Sequence, residues 1–144
     1  MADLFELNID FSGQWARKHA PHIVDASARI LRDAIVDEME LAAPRSGRTY
    51  LKPGTSTPYV ASAPGEPPAI REGVYANSWS STPAVVLPSM VIAFVVNPIM
   101  AGPVALGIVL EEGTTDGRIQ PRPHIRPGLD RARAEVDALL RRVA

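Results

Sequence analysis

A stretch dense in proline and glycine divides this chain and limits what it can fold into. Between Pro44 and Ala69 it contains eight such residues, namely Gly47, Pro53, Gly54, Pro58, Pro64, Gly65, Pro67 and Pro68. Proline interrupts helices and glycine weakens them, so no regular helix is compatible with this density. We therefore predict a long irregular arm at 44–72, which separates a helical first part of the chain from a strand-rich second part.

The chain before this arm carries two clear periodic patterns. Apolar and polar residues alternate from Leu4 to Phe11, which predicts a half-buried strand. From Gln14 to Ala43 the apolar residues recur at helical spacing, which predicts one long helix. Pro21 either kinks this helix or marks its true first turn, so the prediction is firm only from Pro21 onward.

The chain after the arm reads as strands followed by a helix. Val74 to Ser80 is a helical turn or the start of a strand, and two apolar runs, Ala84 to Leu87 and Met90 to Val96, flank a Pro-Ser turn. These runs predict neighbouring antiparallel strands. Val104 to Leu110 predicts another strand, and Pro127 to Val143 predicts a final helix with Pro127 in its first turn.

Helices and strands that do not alternate regularly indicate an α+β fold. We expect an antiparallel sheet of about four strands, packed against the long helix of the N-terminal half and the C-terminal helix. A length of 144 residues suits a single domain, 1–144. The chain has no cysteine, no signal-peptide pattern and no run long enough to span a membrane, so we expect a soluble protein made in the cytosol.

The net charge of −1 conceals an uneven distribution. Residues 1–116 carry a balance of −5, whereas residues 117–144 carry +4, with seven arginines against three acids. Opposite poles on one small domain favour head-to-tail contacts between copies of the chain. A basic tail that binds nucleic acid is the competing explanation.

Opposite charges are also concentrated in the loop that joins the last predicted strand to the last helix. Gly113 there is expected to adopt a backbone angle closed to other residues, so that the chain turns sharply. Such a loop suits docking onto another chain, although a solvated loop with incidental charge is the plainer alternative. The candidate interface residues are Glu111, Glu112, Gly113, Thr114, Arg118, Arg122, Pro123, Arg126 and Pro127.

The arm is a second candidate contact surface. Its prolines fix an extended path, and its tyrosines favour packing against a neighbour. The candidate arm contacts are Tyr50, Tyr59, Pro64, Gly65, Glu66, Pro67 and Pro68.

No motif for catalysis, cofactor binding or metal binding stands out, and we expect no cofactor. His124 is the best candidate for a catalytic base, with Glu111 or Glu112 to orient it. His19 and His22, with Asp25 nearby, are the only metal-like spacing, and surface histidines are the plainer interpretation. The C-terminal arginines could contact phosphates, but no aromatic residues are interleaved with them.

Several stretches, taken in order, resemble the neck or tail-completion proteins of long-tailed phages, the tenth-gene-product-like family of lambdoid phages. They are Ser46-Gly47-Arg48, Ser62 to Ala69, the valine-rich Ala84 to Val96, Leu110-Glu111-Glu112-Gly113-Thr114, and Arg122-Pro123-His124-Ile125-Arg126-Pro127-Gly128. The chain departs from the family pattern at Glu112, where an aromatic residue is usual, at His124, which replaces phenylalanine, and at Gly128, which replaces alanine. The region of Glu72 to Trp79 also lacks the family's arginine.

The resemblance implies a structural virion protein without enzymatic activity. Such proteins assemble as rings, commonly of six subunits, at the junction of head and tail, where they join the connector to the tail tube and let genomic DNA pass. The implied partners are other copies of the chain, a head-side connector or stopper protein, a tail-tube or tail-terminator protein, and DNA without sequence specificity. A tail terminator, a stopper and a gene-transfer-agent counterpart all fit this resemblance. The alternative, from the composition alone, is a small nucleic-acid-binding protein that uses the arginine-rich C-terminal region.

Overall fold

The computed structural model describes residues 14–41 and 44–143, and the predicted strand over Leu4 to Phe11 lies outside these ranges. Within them the chain forms four helices and eight short strands, and every strand pair is antiparallel. The α+β class is therefore confirmed. None of the helices in these ranges is both long and apolar enough to cross a membrane.

The helices are of very different lengths. The long first helix, α1, spans Gln14–Glu40 and runs through Pro21, so it begins earlier than the sequence could guarantee. Two short helices follow, α2 (Val74–Asn77) and α3 (Leu106–Glu112). The last helix, α4, spans Ile125–Val143 and begins two residues before the predicted start.

The strands form hairpins rather than one sheet. In the arm, β1 (Thr49–Leu51) pairs with β2 (Pro58–Val60). In the second half, β3 (Ser80–Ser81) pairs with β6 (Val95–Val96), and β4 (Val85–Val86) pairs with β5 (Val91–Ile92). Finally, β7 (Met100–Ala101) pairs with β8 (Val104–Ala105).

The prediction of one sheet of about four strands is not met among the described residues, where the strands pair only two by two. The β3–β6 and β4–β5 pairs lie along a single long hairpin, residues 80–96, which we call the valine hairpin. Its ladder is interrupted near Thr82 and Phe94, although the Thr82 N–H still donates to the Phe94 carbonyl over 2.8 Å. Such irregularities shorten each strand to two residues.

The strand predicted over Val104 to Leu110 was wrong for most of its length. Only Val104 and Ala105 are extended, and Leu106–Glu112 is helix α3. A continuous apolar run fits a buried strand and a buried helix equally well by its periodicity. The helix lets Gly107 face the core, where a Cβ on Gly107 would stand 3.2 Å from the Tyr75 hydroxyl. This close approach favours the helix over the strand.

The two long helices form the main packing contact of the molecule. Gly128 of α4 lies against the backbone of Ile35 in α1, where a Cβ on Gly128 would approach the Ile35 Cα to 2.8 Å. Ala132 and Val136 continue the buried stripe of α4. An ion pair of 2.6 Å between Arg131 and Glu38 joins the same two helices at the edge of this contact.

A compact apolar cluster lies where α1 meets α2 and the valine hairpin. It contains Ile35, Met39, Ala76 and Trp79, with Leu31, Val36, Tyr75, Val95 and Ile125 packed around it. The short helix α2 thus serves mainly to deliver Ala76 and Trp79 into the core. The cluster also fixes the place where α4 begins, since Ile125, which packs against the cluster, is the first residue of α4.

Candidate assembly surface and its buried anchor

The loop between α3 and α4 is anchored by one carboxylate. Glu111, near the end of α3, accepts hydrogen bonds from the backbone N–H groups of His124 and Ile125 over 2.8 Å and of Arg126 over 3.0 Å. These are N–H groups at the start of α4, which have no partner within the helix. Glu111 therefore caps α4 from 13 residues upstream, and its charge is favourably placed at the positive end of the helix dipole.

His124 lies beside this carboxylate and is fully buried. Its Nδ1 is 2.9 Å from the carbonyl oxygen of Arg122 and 3.3 Å from a Glu111 oxygen, and its Nε2 is 2.7 Å from the Tyr75 hydroxyl. A carbonyl only accepts, so Nδ1 carries the proton and Nε2 accepts from the Tyr75 O–H. The ring also packs edge-on against Tyr75 and Trp79.

The burial of this network perturbs its titratable groups. Burial disfavours the charged form of Glu111, but the hydrogen bonds from the His124 ring and from the three backbone N–H groups outweigh it and lower the pKa of this carboxyl to about 2. Burial, followed by the negative charge of Glu111, raises the pKa of the Tyr75 hydroxyl. At neutral pH the site therefore holds an ionised glutamate and a neutral tyrosine.

The candidate catalytic pair thus converges, but in the interior of the protein. Two depressions of about 240 and 290 Å³ flank the segment from Pro68 to Arg71. Neither is lined by His124 or Glu111. A hydrolase would require both groups to face a substrate, and here both ring nitrogens of His124 are already engaged in contacts that hold the fold together.

The surface part of the loop is closed on itself. Gly113 has a φ of 76°, as its sequence context predicted, and a Cβ there would approach the Ile119 carbonyl oxygen to 2.6 Å. The Thr114 hydroxyl donates to Asp116 over 2.6 Å, and its oxygen accepts from the Ile119 N–H over 3.0 Å. The hydrogen bond from Thr114, with one from the backbone of Arg118, lowers the pKa of Asp116.

The predicted interface residues divide by exposure. Glu112, Arg118 and Arg126 are exposed, whereas Gly113, Thr114, Arg122, Pro123 and Pro127 are half-buried. Glu111 is only 8% exposed and stabilises the fold, so it is not available to another chain in this structure.

Some of the loop's charges are already paired within the chain. Arg118 lies 3.2 Å from Asp116, and Arg126 lies 4.0 Å from Glu112. The guanidinium of Arg122 instead donates to two backbone carbonyls, those of Gln120 and Pro121, over 3.3 Å. The face that the loop offers to another chain is therefore a mixture of charges rather than one strongly charged patch.

The arm leaves the body through a compact root. The Glu66 carboxylate accepts from the Ser46 hydroxyl, from the Ser46 N–H over 3.1 Å and from the Ala63 N–H over 2.8 Å. These three hydrogen bonds, the Ser46 hydroxyl first, lower the pKa of Glu66 to about 2. Arg45 adds hydrogen bonds to the carbonyls of Met39 and Pro68, over 2.9 and 3.1 Å.

The root also connects the two candidate surfaces. The Gly65 N–H donates to the Pro121 carbonyl over 2.9 Å, which joins the arm to the loop before α4. Tyr59 and Arg122 line the same depression. Of the predicted arm contacts, Tyr50, Pro64 and Gly65 are exposed, Tyr59, Glu66 and Pro67 are half-buried, and Pro68 is buried.

Beyond the root, residues 49–60 form a short hairpin. Among the described elements, β1 and β2 pair with each other and make no extensive contact with any other helix or strand. Tyr50 and Tyr59 lie opposite each other, with ring centroids 5.9 Å apart. Tyr50, Leu51 and Val60 are exposed. Part of the segment predicted to be irregular is thus a hairpin with exposed apolar side chains.

The valine hairpin is the second exposed apolar feature. α1 covers one of its faces, and the Asp25 carboxylate of α1 accepts from the Ala84 N–H over 2.6 Å. The hairpin leaves six large apolar side chains exposed: by alternation Val85, Leu87, Met90, Phe94 and Val96 lie on one face, and Val86, which pairs with Val91, lies on the other. Residues 80–96 contain no charged side chain. A patch of this kind on a small protein is typical of an interaction surface.

The histidines of α1 show no metal-like arrangement. His19 packs against Trp15, with ring centroids 4.8 Å apart, and His22 is exposed. Across residues 14–41 and 44–143, no group of three or more His, Cys, Asp or Glu side chains is placed to hold a metal ion.

Three contributors to this region were not identified from the sequence. Tyr75, Ser46 and Arg45 hold the buried network and the arm root through partners 20 or more residues away. Only Tyr75 carried a usable pattern, because its spacing of four from Trp79 is that of two aromatic residues on one face of a helical turn.

No known protein family, characterised protein or solved structure matches this chain.

Proposed function

We propose that this chain is a structural virion protein of a tailed phage, a prophage or a gene-transfer-agent particle. It forms a ring at the junction of head and tail, joins the connector to the tail tube and lets DNA pass through its lumen. It is not an enzyme, binds no cofactor, and is assembled in the host cytoplasm. The proposal rests on the ordered set of motifs that resembles the neck and tail-completion family.

The observation that carries the proposal is the amount of apolar surface left uncovered by the folded chain. Both the arm hairpin and the valine hairpin expose large apolar side chains, while the buried core is built from a small set of residues. Exposed, uncharged strands are usually blunted by charges or covered in an assembly. This chain has no such charges between Ser80 and Val96, so an assembly is the favoured explanation.

The distribution of charge is consistent with a ring. The basic C-terminal region and the acidic remainder of the chain suit a heterologous interface, in which one face of each copy meets a different face of the next. The single sheet of about four strands expected from the sequence would then arise only in the assembly, where hairpins of neighbouring copies lie together.

A nucleic-acid-binding role is the second candidate. It is favoured by the exposed arginines of α4, in particular Arg133, Arg141 and Arg142. Exposed acids, Asp130, Glu135 and Asp137, lie on the same helix and reduce its attraction for phosphates.

The test is the mass of the purified full-length chain in solution, alone and with candidate connector and tail-tube proteins. We expect a ring, or a monomer that becomes a ring when a partner is added. A chain that stays monomeric with every partner, and binds DNA with a steep salt dependence, would replace the proposal with the nucleic-acid-binding role.

The double variant Arg122→Glu/Arg126→Glu tests the loop within that assembly. We expect it to abolish assembly while the monomer remains folded, because charge reversal in a largely exposed loop costs little fold stability. Arg141→Glu/Arg142→Glu is the matched control, with the same change of charge at the far end of α4. If the loop variant still forms rings, the loop is outside the interface.

A further inference from the structure

We propose that the arm hairpin of one copy docks on the exposed face of the valine hairpin of the next copy. This inference rests on the proposed ring, and it names the two surfaces that meet. The occupant of the valine hairpin is thus a second copy of this chain, through its residues 49–60.

The first argument is that the two surfaces do not meet within one chain. The arm hairpin makes no extensive contact with another described element, and the valine hairpin packs through its other face on α1. The root, held by Glu66 and by the Gly65 to Pro121 hydrogen bond, fixes the direction of the arm. Tyr59 lines a depression together with Arg122 and so lies toward the body, which leaves the opposite face of the arm hairpin, with Leu51 and Val60, turned outward.

The second argument is chemical similarity. The exposed face of the valine hairpin is apolar and uncharged, and the arm presents Leu51 and Val60 on one face, opposite the face of Tyr50 and Tyr59. Met90 on the receiving face adds an adaptable, unbranched side chain, which can fill irregular gaps against such a partner.

The third argument is the area available. A fully buried large apolar side chain removes roughly 100 Å² of apolar surface from water. The five half-exposed side chains on one face of the valine hairpin then offer about 250 Å², and Leu51 and Val60 of the arm offer about 100 Å². A standard interface buries about 1,600 Å², of which somewhat more than half is apolar.

The contact thus supplies about two fifths of the apolar area of a standard interface. That is too little for a stable isolated dimer, but each chain in a ring makes the contact twice, once with its arm and once with its valine hairpin. A head-to-tail contact of this kind covers both exposed surfaces of every copy, whereas a symmetric dimer through either hairpin would leave the other exposed.

The experiment uses cysteine crosslinking, since the chain contains no cysteine of its own. Leu51→Cys and Val85→Cys are made as separate full-length variants, at residues 63% and 51% exposed on the two faces proposed to meet, so that neither disturbs the core. Each is treated with a short bismaleimide, alone and mixed, under the conditions in which the wild type forms rings. Leu51→Cys mixed with Ala138→Cys, on the exposed side of α4, is the matched control.

We expect a covalent dimer from the mixture of Leu51→Cys and Val85→Cys, at least about tenfold more abundant than in the control mixture. Neither variant alone should crosslink, and the double variant should give a ladder that ends at the ring number. Crosslinking of Leu51→Cys with itself would show a symmetric contact and overturn the inference.

Two further outcomes separate this inference from the proposed function. Rings that form normally but crosslink no more than the control would overturn the docking and leave the ring assignment intact, with the arm assigned to a connector, a tail protein or DNA. Failure of the wild type to assemble under every condition would overturn the proposed function and, with it, this contact.

Discussion

The Glu111 carboxylate is the most informative single group to perturb, because the structure assigns it to the fold rather than to the surface. In Glu111→Gln one oxygen still accepts hydrogen bonds, but the new NH2 group faces a backbone N–H that it cannot satisfy. The negative charge at the start of α4 is lost as well. We expect the free energy of unfolding at pH 7 to fall by about 2–3 kcal/mol.

The size of this effect follows from the pKa. Lowering the pKa of Glu111 from 4.5 to about 2 corresponds to about 3 kcal/mol, since a tenfold change in a protonation equilibrium is worth about 1.4 kcal/mol. The folded-state pKa lies below the unfolded one, so this stability is present above pH 4.5 and is lost as the pH falls toward 2. At pH 3 the wild type should retain only about 1.4 kcal/mol of it.

The assay is urea unfolding of the wild type and the variant at pH 7 and pH 3, at concentrations where both are monomeric. Tryptophan fluorescence, to which Trp79 beside His124 contributes, follows the transition. Glu112→Gln is the matched control, since Glu112 is exposed and lies 4.0 Å from Arg126, so we expect a change within about 0.5 kcal/mol.

Two results would refute this reasoning. Equal losses in Glu111→Gln and Glu112→Gln at pH 7 would mean that Glu111 is not the cap of α4. A loss in Glu111→Gln that persists unchanged at pH 3 would mean that it arises from packing rather than from the charge.

Three further predictions test the packing around this anchor and the arm. Gly128→Ala should destabilise the protein by about 1–3 kcal/mol, because the new Cβ meets the backbone of Ile35, although alanine favours helices by about 1 kcal/mol. Thermal unfolding, compared with that of the exposed Ala134→Gly variant, separates the two effects. A rise in the Tm of Gly128→Ala would contradict the close contact. Tyr75→Phe should lower the free energy of unfolding, measured in urea, by about 1–3 kcal/mol, because it leaves the buried His124 Nε2 without a donor. An unchanged free energy would mean that water or a rearranged ring replaces the hydroxyl. Glu66→Ala should open the arm root and speed tryptic cleavage within the arm several-fold, with unchanged cleavage counting against the root as the main restraint.

The long elements of the fold could be predicted because each carries its own periodic pattern. The helices α1 and α4, the turn between β4 and β5, and the positive φ of Gly113 all follow from residues close together in the chain. The helix α3 could not be predicted, because the apolar run Val104 to Leu110, which supplies most of it, has no polar residues to reveal a period.

The buried site was only partly visible in the sequence. His124 and Glu111 were recognised as a pair, but their role was not, since it depends on Tyr75, which lies 49 residues before His124. Likewise, the prolines predicted an irregular segment at 44–72, but they did not predict the contact between Ser46 and Glu66, which spans 20 residues. Such long-range partners leave no local pattern.

The closed root of the arm has a consequence for the strength of the contact that we propose for it. A free loop of this length must lose conformational entropy when it binds, and that loss weakens the complex. Here Glu66 and the Pro121 carbonyl already hold the base of the hairpin, so part of that loss has occurred during folding. Loosening the root would therefore weaken the proposed contact without removing a single atom from the surface that the arm presents.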